Sequence, residues 1–227
     1  MSEPDVTLTD YGLALECAVC AAWLGRARTG RNGVRVAGMF FFIFLGISAA
    51  TGGTVHGFFP DAESPGCQFL WQLTLQAIGL AAFATWNVGA GILATGRLGR
   101  WLALAGVPLV VLYSAAALLI TQEFWIALTI YLPGVLLLLT GFCRAAGRNQ
   151  NWFLLVGAAG SGLSLVSSLI QFTRLGINPD YLNHNALAHV VQAIALALIY
   201  RGIRHVTGSE FIDARTESVP EFLPTSG

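Results

Sequence analysis

The stretch from Asn178 to Gln192 reads Asn-Pro-Asp-Tyr-Leu-Asn-His-Asn-Ala-Leu-Ala-His-Val-Val-Gln. It gathers two of the four histidines, three asparagines and a glutamine at the head of the chain's last apolar run. Imidazoles and amides of this kind bind metal ions, relay protons or hydrogen-bond a polar headgroup. Inside a bilayer such groups are costly enough to make them the first suspects for function. Asn178 followed by Pro179 predicts an N-cap with proline at the first helical position. On that helix Asn185 and His189 are four apart and share a face, which Gln192 extends. The Asn185 amide is then placed to accept a hydrogen bond from the His189 N–H and to choose which ring nitrogen faces outward. His184 lies roughly 140° round the helix from His189, five residues at about 100° each.

The elements that must position these groups follow from composition. Only 11% of the 227 residues are charged and 55% are hydrophobic, with a mean hydropathy of +0.67. A soluble domain carries about 25% charged residues, so this is the composition of a membrane protein, with lipids as its surroundings. The formal net charge of zero points to neither a nucleic-acid surface nor an acidic substrate. All twelve cations are arginine, and the absence of lysine excludes Schiff-base and other lysine-based catalysis. Cys17, Cys20, Cys67 and Cys143 lack metal-type spacing, and no disulfide framework is expected. The opening Met-Ser-Glu-Pro-Asp has no basic region of a secretory signal, so the first apolar segment is expected to be retained as an anchor.

Seven apolar segments, 8–25, 36–58, 68–94, 101–120, 124–143, 152–173 and 181–200, are close to the roughly 20 residues that span a bilayer. The expected fold is therefore an all-α bundle of seven transmembrane helices over residues 1–205. The tail from Val206 to Gly227, rich in Ser, Thr, Glu and Pro, reads as disordered. Ten arginines (26, 28, 31, 35, 97, 100, 144, 148, 201 and 204) fall in alternate connections, while the others hold Asp61, Glu63, Glu123 and Asp180, with Arg174 the exception. This pattern places the N-terminus outside and the C-terminus in the cytoplasm, as expected of a bacterial inner-membrane protein. Short connections predict antiparallel neighbours. Pro108 and Pro133 predict kinks. Gly157, Gly160, Ser161, Ser164, Ser167 and Ser168 predict close packing of segment six.

Counting from the arginines at about 1.5 Å per residue puts Glu16 and Asn87 ~15 Å, His189 ~18 Å and Ser48 ~20 Å into the bundle. A second layer, roughly 24–38 Å up on the same count, holds Asp10, Thr51, Thr54, His56, Gln72, Gln76 and His184. Glu16 is the deepest carboxylate and must be protonated or paired, with His189 or Asn87 as partners at its height. His56 closes segment two among Gly52, Gly53 and Gly57, which let another backbone approach it. His205, beside Arg204, reads as a solvated helix end.

Seven spans, a histidine late in the second and a histidine motif early in the seventh resemble the CREST superfamily, which includes alkaline ceramidases and progestin/adiponectin-receptor-type proteins. The resemblance implies zinc held by histidines of spans two and seven, and hydrolysis of lipid amide or ester bonds. Carried over, His56 and His189 would bind zinc, and Glu16 or Asp10 would orient water, with Asn185, His184 and Gln72 around them. The match departs from the family where Gly52 replaces a serine and Asn185 a histidine, and Gln72 and Gln76 are the nearest polar residues to the span-three aspartate. Three functions follow from these residues: a lipid hydrolase, a non-enzymatic receptor or lipid-binding protein, and a proton-coupled transporter using Glu16 and His189.

Overall fold

The computed structural model describes residues 3–26, 32–178 and 181–208. They form seven α-helices: α1 (Pro4–Arg26), α2 (Asn32–Phe58), α3 (Pro65–Leu93), α4 (Gly96–Leu119), α5 (Phe124–Asn149), α6 (Trp152–Thr173) and α7 (His184–Val206). Six of these, α2 to α7, are long and apolar enough to cross a membrane. The remaining helix, α1, matches them in length but carries Asp5, Asp10 and Glu16. Pro108 and Pro133 both lie inside unbroken helices. All four cysteines are free.

Helix boundaries follow capping chemistry. The Ser64 hydroxyl accepts from Cys67 N, with Pro65 at the first position of α3. Asn151 caps α6 by accepting from Phe153 N. The head of α7 differs from the expected start at Asn178. Its cap is Asn183, whose side chain accepts from Asn185 N and Ala186 N. Asn178 instead closes a turn, exchanging backbone hydrogen bonds with Leu182 and accepting from Tyr181 N through its side chain. Two asparagines compete here, and the one whose amide reaches two orphan N–H groups starts the helix. Pro179 and Asp180, with Arg28, Arg31 and the tail from residue 209 on, lie outside the described residues. At the other end of α7, His205 stacks on Phe153 of α6, with ring centroids 5.4 Å apart, instead of standing free in solvent.

The helices form a ring in the order α1, α2, α3, α5, α6, α7, closed by packing of α7 on α1, and α4 stands outside it against α3. Chain neighbours α4 and α5 barely touch, contrary to the expectation from their short connection. Small residues decide this. A Cβ at Gly89 would sit 2.7 Å from Leu138 N, and one at Gly134 2.9 Å from Ala82 O, so α3 and α5 meet backbone to backbone. Between α6 and α7, a Cβ at Gly160 would lie 2.7 Å from Leu198 Cβ and 2.8 Å from Ala195 O, and one at Gly202 2.8 Å from Gly157 Cα. The glycine and serine stripe of α6 thus serves packing, through Gly157, Gly160 and Ser161. With lipid tails as apolar as the helices, such close approach is the main source of association. Phe41, Phe42, Leu138, Phe142, Leu154, Leu196 and Ile203 fill the ring solidly at its arginine-bearing end.

Replacing Gly160 with leucine should wedge α6 from α7 and cost about 1–3 kcal/mol, as overpacking of a filled interface does. Gly162→Leu, where a new Cβ meets nothing within 4 Å, should change stability by less than about 0.5 kcal/mol. Thermal unfolding of detergent-solubilised protein compares the two, and equal losses would rule out packing through Gly160.

Candidate functional site

The end of the ring away from the arginines is hollow. A cavity of about 530 Å³ is lined from all six ring helices, including Asp10, Ser48, His56, Trp71, Tyr131, Gln171, His184, Asn185, His189 and Gln192. Glu123, Phe124 and Arg174 line it as well.

At its heart α1 meets α7. His189 Nε2 lies 3.5 Å from Asp10 Oδ1, and its Nδ1 lies 3.2 Å from Thr9 Oγ1. The Thr9 proton is directed to the carbonyls of Asp5 and Val6, both at 2.9 Å. This leaves Nδ1–H to donate to Thr9 and turns Nε2 toward the carboxyl group. One further proton serves the pair whether it sits on nitrogen or oxygen, and in either state the two groups together are neutral. That arrangement keeps Asp10, only 5% exposed, without an isolated charge in an apolar interior. The glycine run of α2 makes room for it. A Cβ at Gly53 would come within 2.8 Å of Asp10 Cβ, and one at Gly52 within 3.6 Å of Asp10 Oδ2. The backbone that the glycines admit is therefore that of α1, packed on them through Thr7 and Asp10.

Two further polar groups complete the wall. Ser164 Oγ donates to Gln192 Oε1 at 3.0 Å, Gln192 Nε2 donates to the Tyr131 hydroxyl at 3.4 Å, and Tyr131 lies 3.4 Å from Ser164. With each hydroxyl donating once, these three close a cycle. Gln171 Nε2 donates to Asn185 Oδ1 at 2.6 Å. Asn185 thus shares its face with His189 but gives its oxygen to α6 instead of to the imidazole. Near the mouth, His56 Nδ1 is 2.6 Å from Glu3 Oε2, and its ring stands edge-on to Trp71. Asp5 Oδ2 accepts from Asn183 N at 3.2 Å, fastening the head of α1 to the head of α7.

The structure brings Asp10, His56, His184, Asn185 and His189 to one cavity. It does not bring Glu16 or Gln72 there. Glu16 is half-buried on α1 beside Cys17 and Cys20, without a hydrogen-bond or ion-pair partner among the described residues. It meets neither His189 nor Asn87, whose Nδ2 donates to Phe83 O. Gln72 sits about 100° round α3 from the cavity-lining Trp71, with both amide atoms buried and unpartnered among the described residues. Glu3, Thr9 and Tyr131 escaped the sequence reading. The signal for Glu3 and Thr9 was an acidic, threonine-bearing first turn in a segment of otherwise membrane-like length. Tyr131 carries none, because a single tyrosine in an apolar run looks like packing. Among the described residues no three His, Cys, Asp or Glu side chains group so as to hold a metal ion. His56 faces Glu3 and His189 faces Asp10.

No curated protein and no solved structure matches the chain. Residues 6–207, from the first turns of α1 to the cap of α7, match DUF6962, and the chain belongs to this family of unknown function.

Proposed function

We propose that the chain is a multi-pass membrane protein, N-terminus outside and C-terminus cytoplasmic, whose ring binds the polar part of a lipid-like amphiphile. The observation that carries this reading is the cavity of about 530 Å³ with apolar and aromatic walls and a few convergent polar groups. Its size suits a headgroup with a length of chain, and Trp71, Phe124 and Phe172 supply an apolar rim. The orientation is supported by charge. Arg26, Arg35, Arg97, Arg100, Arg144, Arg148, Arg201 and Arg204 lie at or near helix ends on one side of the ring. Glu3, Asp5, Asp61, Glu63 and Glu123 lie at the other, where the cavity sits.

The Asp10–His189 pair favours a second reading, that of a hydrolase. A carboxyl–imidazole pair sharing a proton in a cavity is placed to take a proton from water attacking an ester or amide. The binding reading accounts for the site without that step, and it also uses the closed Tyr131–Ser164–Gln192 cycle, which leaves those hydroxyls little freedom for chemistry.

A reporter enzyme active only outside the cytoplasm should be silent when fused after Gly227 and active when inserted in the 61–64 connection; the reverse pattern would invert the orientation. Binding of a monoacylglycerol to purified protein, followed by calorimetry, tests the cavity. Asp10→Asn and His189→Gln should each weaken it by about 1–3 kcal/mol, and the double variant by no more than either alone, because the two act as a unit. Additive losses would separate the two residues, and no binding by unmutated protein would remove the proposal. Protein prepared without chelators should carry no more zinc than the His56→Ala/His189→Ala variant. A stoichiometric ion lost in that variant would restore the metal hydrolase.

A further inference from the structure

A second cavity, of about 810 Å³, lies outside the ring where α4 leans on α3, at the arginine-bearing end. Phe40 and Phe44 of α2 and Leu80 and Phe83 of α3 form its apolar walls, and Arg100 of α4 stands at its open end. Along α3 it runs from Leu80 to Ala94, fourteen residues and ~21 Å at about 1.5 Å each. One leaflet with its headgroups, half of a bilayer of ~40–45 Å, is about the same depth. The groove therefore has the length of one leaflet, is apolar where the tails lie, and is polar where the headgroups lie.

The headgroup end is cationic. Arg100 is exposed, and no carboxylate among the described residues pairs with it. The first turn of α4 opens beside it, from Thr95, whose side chain makes no capping bond, and Gly96, at φ 64°. The first N–H groups of a helix have no partner within it, and together with a guanidinium they suit a phosphate oxygen. Gly96, where an added Cβ would meet nothing within 4 Å, lines the groove there and leaves the helix end open beside Arg100, while Gly99 faces the Ala94 carbonyl.

We propose that this groove holds an anionic phospholipid of the arginine-side leaflet, its phosphate on Arg100 and the first turn of α4 and one acyl chain between α2 and α3. The site is distinct from the ring cavity and rests on the proposal above only in taking the helices to span a membrane. The lipid would lie beside the α3–α4 seam, where the Tyr113 hydroxyl donates to Leu75 O and Trp86 Nε1 donates to Leu102 O.

Native mass spectrometry of the full chain, released from detergent with phosphatidylglycerol, phosphatidylcholine or glycerol 3-phosphate, tests it. One phosphatidylglycerol should be retained in preference to phosphatidylcholine. Arg100→Gln should lower its affinity about tenfold, the worth of one charge-assisted hydrogen bond, and abolish the preference. Ala103→Trp, which fills the groove, should remove binding of both lipids, whereas Arg148→Gln, at the same end but outside the groove, should leave binding unchanged. Equal binding of the two lipids, an equal loss with Arg148→Gln, or glycerol 3-phosphate competing as well as the whole lipid would each overturn the proposal. Release of the chain from membranes by alkaline carbonate would instead overturn the membrane reading, which separates the two failures.

Discussion

A helix carrying Asp5 and Asp10 in its outer half joins six apolar helices only where those carboxylates find partners inside the bundle, because an unpaired charge facing lipid costs several kcal/mol. In this chain α1 meets that constraint on two sides. It turns Thr9 and Asp10 toward His189 and Asp5 toward the head of α7, and it lays Thr7 and Asp10 on the glycine face of α2. These contacts close the ring. A side chain at Gly53, whose Cβ would lie 2.8 Å from Asp10 Cβ, or at Gly57, 2.9 Å from Thr7, would push α1 off α2 and draw Asp10 away from His189.

The closure also sets where space is left. Toward the arginines, phenylalanines and leucines from five helices meet at the ring axis and leave it solid. Toward the other end the axis is lined by Ser48, Gly52, Thr74, Ser167 and Ser168, residues too small to meet across it. A cavity there follows from side-chain volume alone. Its polarity follows from the same residues, since small membrane-helix residues that are not glycine or alanine are mostly hydroxyl-bearing. Many of those hydroxyls are committed to backbone carbonyls, as Ser167 is to Ala188 and Ser168 to Ser164. The groups that remain for a ligand are therefore few: Asp10 with His189, the free valences of Gln171 and Asn185, and the mouth residues His184 and Arg174.

How much of this was legible in the sequence depends on whether the information is local. Seven long helices follow from apolar runs, and each observed helix contains most of its expected segment; of the seven spans expected, six are apolar enough to cross a membrane, and α1, with its carboxylates, is not among them. The face shared by Asn185 and His189 is likewise a local matter of spacing. Ring order is not, because no periodicity records that α3 prefers α5 to α4; that preference lies in Gly89, Gly134 and Gly141, which read as ordinary membrane glycines until the partner is known. The partner of His189 was missed for a related reason. Heights counted from arginines assigned Asp10 to an upper layer and Glu16 to the level of His189, but α1 begins at Pro4, and its packing on α2 places Asp10 beside the imidazole.

Asn185 shows what a motif loses when it is read without its neighbours. Spacing alone makes it the amide in place of a second imidazole, and hence a failed metal ligand or a support for His189. In the ring its oxygen is 2.6 Å from Gln171 Nε2, the shortest side-chain hydrogen bond across α6 and α7, while His189 is served by α1. The two residues share a helix face but answer to different helices. An imidazole at position 185 would have to leave Gln171 without its acceptor in a buried wall, a cost of about 1–3 kcal/mol, before it could turn toward His189. The asparagine is thus accounted for by what it holds in this ring, and the chemistry of the site belongs to the α1–α7 seam instead of to the head of α7 alone.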